Sequence, residues 1–290
     1  MIDNAASAPR VVLITGTSSG IGLASAIAAA RAGFAAVATV RNLDRTRQLR
    51  AAADAAGVSL DVRRLDVTDN ASITETVRGV LDTHGRLDAV VNNAGAGSVG
   101  TLELLTLEQI RAAMEVNFFG TIAVSRAALP HLRASGGRLI TVSSAGGVVG
   151  QPFNEAYCAA KAGIEGYMES LAPVAAEVGV TVSVIEPGPV ASSFVENIGI
   201  DAPAMLAAAG PYAPAFGNYL AFLQHLMADA VQTPEEVAET VLRALTDTAP
   251  AFRIQTSEFT REFVALKLAD ADGASVQSTT RQWLSPARVG

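Results

Sequence analysis

Val11-Val12-Leu13-Ile14-Thr15-Gly16-Thr17-Ser18-Ser19-Gly20-Ile21-Gly22 decides the fold: a short apolar run ends in a glycine-rich turn, and an alanine-rich helical stretch, residues 23–31, follows at once. Glycines at such a turn allow a tight bend and let the backbone approach an anion. The helix N-terminus behind them favours the charge of a pyrophosphate. The spacing here is Gly-x-x-x-Gly-x-Gly. It differs from the Gly-x-Gly-x-x-Gly fingerprint and lacks the Gly-Lys-Ser/Thr of a nucleotide-triphosphate loop.

Outward from this unit, β-branched runs at residues 11–15, 35–40, 59–67, 87–92, 138–143, 180–186 and 252–255 alternate with longer helical stretches. About seven strands separated by helices predict an α/β fold, a doubly wound parallel sheet covered on both faces. Thr106-Leu107-Glu108-Gln109 and Thr233-Pro234-Glu235-Glu236 read as capping boxes that start helices. The chain reads as a single domain over residues 1–290. Residues 192–232 break the alternation with scattered Pro, Gly, Ala and aromatics and are expected to form an inserted lid. Residues 270–290 are polar with little periodicity and read as a loosely held tail, with Trp283-Leu284 as its docking point.

Composition narrows the function. Half of the 290 residues are hydrophobic and 17% are charged, and no apolar run approaches the roughly 20 residues of a membrane span. The formal charge of −7 argues against nucleic acid or an anionic membrane as the main partner and favours small molecules. A single cysteine, Cys158, excludes an internal disulfide framework. The start Met1-Ile2-Asp3-Asn4 lacks signal-peptide regions, so a cytoplasmic location is expected. His84, His131 and His225 show no metal-ligand spacing.

Tyr157 and Lys161 stand four apart and share a helix face, where an ammonium favours the phenolate and lets the phenol exchange a proton near neutral pH. Ser143 and Ser144 both sit at a strand end from which either can present a hydroxyl. At the end of the second strand, Val40-Arg41 offers no acid for ribose hydroxyls; Arg41 suits a 2′-phosphate, with Ser18 as a second contact, so NADP(H) is expected over NAD(H). Asn117, in a long apolar helix, reads on its own as a buried amide satisfied by backbone. Cys158 has no histidine base nearby and reads as a packing residue. Phe194, Met205, Tyr212, Phe216, Tyr219, Phe222 and Met227 either wall a substrate pocket or form the lid's own core.

Taken together, these motifs resemble the short-chain dehydrogenase/reductase family, a Rossmann-type fold, from the glycine turn to the seventh strand. The resemblance implies catalytic roles for Asn117, Ser144, Tyr157 and Lys161, its spacing favouring Ser144 over Ser143. It implies cofactor contacts at Gly16, Ser18, Ser19, Gly20, Ile21, Gly22, Arg41, Asp66, Val67, Asn93, Ala94, Gly95, Tyr157, Lys161, Pro187, Gly188, Val190 and Ser192. Ser192 replaces a more usual threonine and keeps the hydroxyl. Residues 146–158 and 233–239 look like the branch of hydroxysteroid and retinol dehydrogenases, which handles lipophilic alcohols and carbonyls; its steroid member has a lid histidine where this chain has Phe222. The implied activity is NADP(H)-dependent interconversion of a lipophilic alcohol and its carbonyl. Lys161 would bind the nicotinamide ribose, and Asn117 would hold a water. A catalytically silent NADP(H) sensor is the alternative. The family likeness also implies a homodimer or homotetramer through residues 107–132 and 155–178.

Overall fold

The apolar runs become the strands of one sheet in a computed structural model that describes residues 8–192, 201–229 and 231–285. β1 (Val11–Ile14), β2 (Ala35–Val40), β3 (Asp61–Arg64), β4 (Ala89–Asn92), β5 (Arg138–Val142), β6 (Thr181–Glu186) and β7 (Arg253–Gln255) pair in the order β3-β2-β1-β4-β5-β6-β7. All six pairings are parallel. β1 and β4 are buried along their whole length, as strands covered on both faces must be. The seven-stranded α/β sheet expected from the alternation is therefore present.

Helices cover both faces. α1 (Gly20–Arg31) and α2 (Arg47–Ala56) lie on one; α3 (Asn70–His84), then α4 (Leu107–Met114) and α5 (Thr121–Ser135), joined by a π-helical turn over Glu115–Gly120, lie on the other. The short α6 (Ala145–Val148) leads to α7 (Glu155–Ala176), which packs with α3 and α5. α8 (Ala202–Ala208), α9 (Ala213–Asp229), α10 (Pro234–Thr246), α11 (Glu258–Leu268) and α12 (Ala274–Gln282) complete the described α-helices, with short 3-10 turns at Leu43–Arg45 and Gly210–Tyr212.

Two cores result, one per face. Val77, Val124, Leu132, Ile164 and Met168 pack under β1, β4 and β5 on one side, while Ala26, Ala29, Leu49, Val241 and Leu245 pack on the other. Both capping boxes form, with Thr106 bonded reciprocally to Gln109 and Thr233 to Glu236.

The strand order reverses direction between β1 and β4. Their carboxyl ends diverge there into helices on opposite faces, which opens the crevice where a doubly wound sheet takes its ligand.

Candidate active site

The turn after β1 and the turn after β4 are locked together. Asn93 Nδ2 donates to the carbonyls of Thr15 at 2.9 Å and Gly16 at 3.0 Å. Thr15 Oγ1 accepts from the backbone N–H of Asn93 and Ala94. Gly16 has φ +70°, and a Cβ there would lie 2.8 Å from Ala94 Cα; one on Gly22 would lie 2.3 Å from both Asn93 Nδ2 and the Gly16 carbonyl. Only glycine fits either place. Ser19 caps α1 without a side-chain bond, and the first N–H groups of a helix, here at Gly20, Ile21 and Gly22, have no intrahelical acceptor. This is a concave, backbone-lined anion cradle, and it fits a dinucleotide pyrophosphate.

Toward the sheet's β3 edge, Arg41 is exposed at the end of β2, and Ser18 is half-buried in the turn. Asp66 Oδ1 accepts from Thr68 N at 3.0 Å and Oγ1 at 2.7 Å. Against the cost of burial, these bonds and the positive Arg41 and Arg64 hold the Asp66 carboxyl below its ordinary range. Val67 is buried and lies where a Cβ on Gly120 would meet it at 2.8 Å.

On the opposite side, the Pro187 carbonyl accepts from Ala145 N at 2.8 Å, joining the Pro187-Gly188 turn to α6. Val190 bridges Gln232, and Ser192 stands over Gly20, 3.2 Å from where a Cβ would sit. The two ends of segment 192–232 are thus zipped together, with Ala191 N donating to the Gln232 carbonyl and Gln232 N to the Pro189 carbonyl.

Between these sides sit the four polar residues. Ser144 caps α6 by accepting from Gly146 N at 3.0 Å, and its hydroxyl also hydrogen-bonds the Tyr157 phenol from the first turn of α7. Ser143 is turned inward instead, beside Glu165. Lys161 is 5% exposed; its Nζ donates to the Val142 carbonyl at 2.9 Å and lies 5.8 Å from the Tyr157 ring centroid. Gly95 lies between partners: a Cβ there would be 3.0 Å from Asn117 Oδ1 and 3.6 Å from Lys161 Nζ. Asn117 is fully buried on the π turn. Its Nδ2 donates to Ala96 O at 2.8 Å and Ala113 O at 2.9 Å, and Oδ1 accepts from Ala96 N at 3.2 Å. One Oδ1 lone pair remains.

One expectation is corrected. The phenolate is not favoured: burial pushes Tyr157 up to about 12, opposed by the Ser144 bond, and pushes Lys161 down to about 8. Burial is the largest cause for each group, against the Ser144 bond at Tyr157 and the Glu165 carboxyl at Lys161. Burial likewise pushes the Cys158 thiol up to about 11, consistent with a packing role.

Segment 192–232 contributes a third core, in which Phe216 and Tyr219 of α9 pack on Phe153 with centroids 4.9 and 5.4 Å away, and Met205 and Tyr212 pack around them. Phe216 and Tyr219 are core, while Met205 and Tyr212 are half-buried at its margin. Phe222 stacks on Trp283 at 4.5 Å, and Asn218 donates to the Leu284 carbonyl. Phe194 lies outside the described residues, as do residues 193–200, 230 and 286–290 of the expected lid and tail. Sequence reasoning missed Asn154, whose Nδ2 donates to the Tyr219 hydroxyl and ties α9 to the start of α7. It also missed Glu165, Glu186 and Arg253, which meet behind Lys161. No linear signal connects residues from α7, β6 and β7.

Among the described residues no helix is long and apolar enough to cross a membrane, and no His/Cys/Asp/Glu cluster could hold a metal ion. The family described as short chain dehydrogenase matches residues 10–202. Human 17-beta-hydroxysteroid dehydrogenase type 1 is 38% identical over 92% of this chain and 84% of its own length. Human retinol dehydrogenase 8 is 34% identical over 96% of this chain and 91% of its own length. The crystal structure of an alcohol dehydrogenase from Thermococcus sibiricus complexed with 5-hydroxy-NADP superposes with a TM-score of 0.69, at 26% identity, over 85% of this chain and 95% of that one.

Proposed function

The chain belongs to the short-chain dehydrogenase/reductase family of oxidoreductases, and on that premise we propose that it interconverts a lipophilic alcohol and its ketone or aldehyde with NADP(H), Tyr157 acting as the general acid or base. The observation that carries this reading is the hydrogen-bonded pair of Ser144 and Tyr157 hydroxyls, with Lys161 beneath the tyrosine and the glycine cradle beside it.

When bound, the nicotinamide supplies or accepts the hydride. The chain's own residues do the rest. Gly16, Ser18, Ser19, Gly20, Ile21 and Gly22 hold the pyrophosphate, with Asn93, Ala94 and Gly95 bracing that turn. Asp66 and Val67 border the adenine, while Pro187, Gly188, Val190 and Ser192 border the nicotinamide. Tyr157, protonated across the neutral range because its folded value is about 12, donates its proton to the oxygen where negative charge develops in reduction, and takes one back in oxidation. Ser144 hydrogen-bonds the same oxygen. Lys161, with its ammonium 5.8 Å from the tyrosine ring centroid, binds the nicotinamide ribose. Asn117 pins the Gly95-Ala96 backbone and offers its remaining lone pair to a water beside Lys161.

The preference for NADP(H) is supported by Arg41, which shares the Asp66 end of the crevice with Arg64. A guanidinium pairs with phosphate, and no acid stands at the end of β2 for ribose hydroxyls. The lipophilic substrate is supported by the names of the two human relatives.

The test is NADPH consumption against a panel of apolar ketones and aldehydes by the parent protein and Tyr157→Phe. The variant should lose about 10²- to 10⁴-fold in turnover while binding NADPH like the parent in a fluorescence titration. Parent-like turnover by Tyr157→Phe would sink the assignment, and tight NADPH binding with no carbonyl consumed would sink the activity.

A further inference from the structure

Behind Tyr157 and Lys161 lies a group of buried charges that the proton and hydride steps do not use. Glu165 follows Lys161 by one turn of α7, so the two side chains share a face. They are 3% and 5% exposed. A Cβ on Gly147 of α6 would lie 3.1 Å from Glu165 Cγ and 3.2 Å from the Lys161 carbonyl, so α6 seals this face from solvent. Arg253 reaches in from β7 and places Nε 3.3 Å from Glu165 Oε2 and 3.4 Å from Glu186 Oε1, while its Nη2 lies 3.2 Å from the exposed Glu169. Glu186 is fully buried at the end of β6, next to the Pro187-Gly188 turn, and its Oε2 accepts from Gln255 Nε2 at 2.7 Å.

Buried charges persist only when paired. Among the buried and half-buried groups, Lys161 and Arg253 balance Glu165 and Glu186 when all four are ionised, and loss of Glu165 leaves two cations facing one buried carboxylate, with Glu169 at the exposed rim. The two carboxylates compete for one guanidinium, so burial and mutual repulsion push Glu186 up to about 7. Burial pushes Lys161 down to about 8, and Glu165 when ionised works against that fall; burial raises the Glu165 carboxyl itself, opposed by Ser143, Arg253 and Lys161. The other titratable groups around the lysine, Tyr157 and Cys158 of the same helix, are held protonated by burial. Composition adds a second observation: of 21 basic residues only Lys161 and Lys267 are lysines, and Lys267 is exposed. Arginine keeps its charge wherever it is placed; a buried lysine does not.

We propose that Glu165, clamped by Arg253 against Glu186, is a positioning residue that keeps Lys161 in its ammonium form and thereby sets the upper pH limit of dinucleotide binding. The second half rests on the reading of Lys161 as the ribose-binding lysine. The sign follows directly. The ammonium is complete below the folded-state value and lost as pH rises through it, so removing a neighbouring carboxylate moves the loss to lower pH.

Two lysines make the experiment direct. In protein labelled with [ε-¹³C]lysine, NMR titration follows Lys161 with Lys267 as the second signal, with no cofactor added. The Lys161 midpoint in Glu165→Gln should fall by about one unit or more, and Glu165→Asp should return it toward the parent. Should the glutamine variant fail to fold, Glu165→Met, of similar length and without an amide to orphan, carries the same expectation. An unmoved midpoint in the folded variant overturns the proposal. In parallel, NADPH affinity of Glu165→Gln should match the parent at pH 6 and fall about fivefold below it at pH 8, since a one-unit fall from about 8 cuts the ammonium fraction there from about a half to about a tenth. A shifted midpoint with unchanged affinity at pH 8 overturns the pH-limit half. Failure of the parent to bind NADPH at any pH overturns the cofactor reading and leaves the midpoint comparison standing.

Discussion

Arg41 contributes little to the folded chain, since its side chain is exposed at a strand end and no acid stands within salt-bridge range of it among the described residues. Its worth would come on binding. Charge-assisted hydrogen bonds to phosphate carry about 1.5–3 kcal/mol, so Arg41→Asp should weaken NADPH by about 10- to 100-fold and leave NADH unchanged or tighter. A fluorescence titration with both cofactors reads this out, and an unaltered NADPH/NADH ratio would move the phosphate contact to Arg64 or Ser18. Tyr157 shows the opposite dependence on context. Its neighbours in sequence point to a lowered pKa, yet burial pushes the phenol up to about 12, so spacing and desolvation act on it in opposite directions.

At the scale of elements, the turn after β1 and the turn after β4 form one unit, and its tolerance to change can be tested at two glycines. Gly22→Ala puts a methyl 2.3 Å from Asn93 Nδ2 and the Gly16 carbonyl, whereas Gly150→Ala meets nothing within 4 Å. The first should lower the melting temperature and abolish measurable NADPH binding; the second should change neither, and equal behaviour of the pair would show that the cradle is not shaped by this contact. Much of this architecture was legible in the sequence. β1, β2 and β4 are nearly continuous apolar runs, interrupted only by Thr39 and Asn92, because both faces are covered, and the capping boxes at Thr106 and Thr233 need only local hydrogen bonds. The turn at Glu115–Gly120 was not legible, since a π-helical turn changes no apolar spacing strongly enough to be read, yet it places Asn117 against Ala96. Residues 274–282 form α12 although their pattern is weak. Only Val276 and Thr280 are buried there, with Trp283 stacked beyond the helix end on Phe222. Phe153, at φ +57°, carries a left-handed backbone that no residue type announces. It is held by the aromatic contacts of Phe216 and Tyr219.

For the whole molecule, the outer face of α4, the π turn and α7 presents Leu107, Phe119, Tyr167 and Val174, between 42% and 80% exposed together with nearby Leu102. Phe118 stands edge-on to both Phe119 and Tyr167, at 5.0 and 6.2 Å, so the aromatic cluster is preformed. An exposed apolar patch of this kind across two helices is costly to leave in water and is typical of a subunit contact. A two-fold axis would bring the same patch of a second copy onto it, because a self-complementary surface is what a symmetric dimer uses. Helix α7 would then lie at the interface, with Tyr157 and Lys161 on its inner side and Tyr167 and Val174 on its outer side. Light scattering should accordingly give a mass of at least twice the 29.8 kDa chain. Phe119→Asp combined with Val174→Asp should reduce it to one chain with the melting transition retained, since neither side chain is in the core. A single-chain mass for the parent would leave this face without a second copy, and an unchanged mass for the double variant would move the contact to another surface.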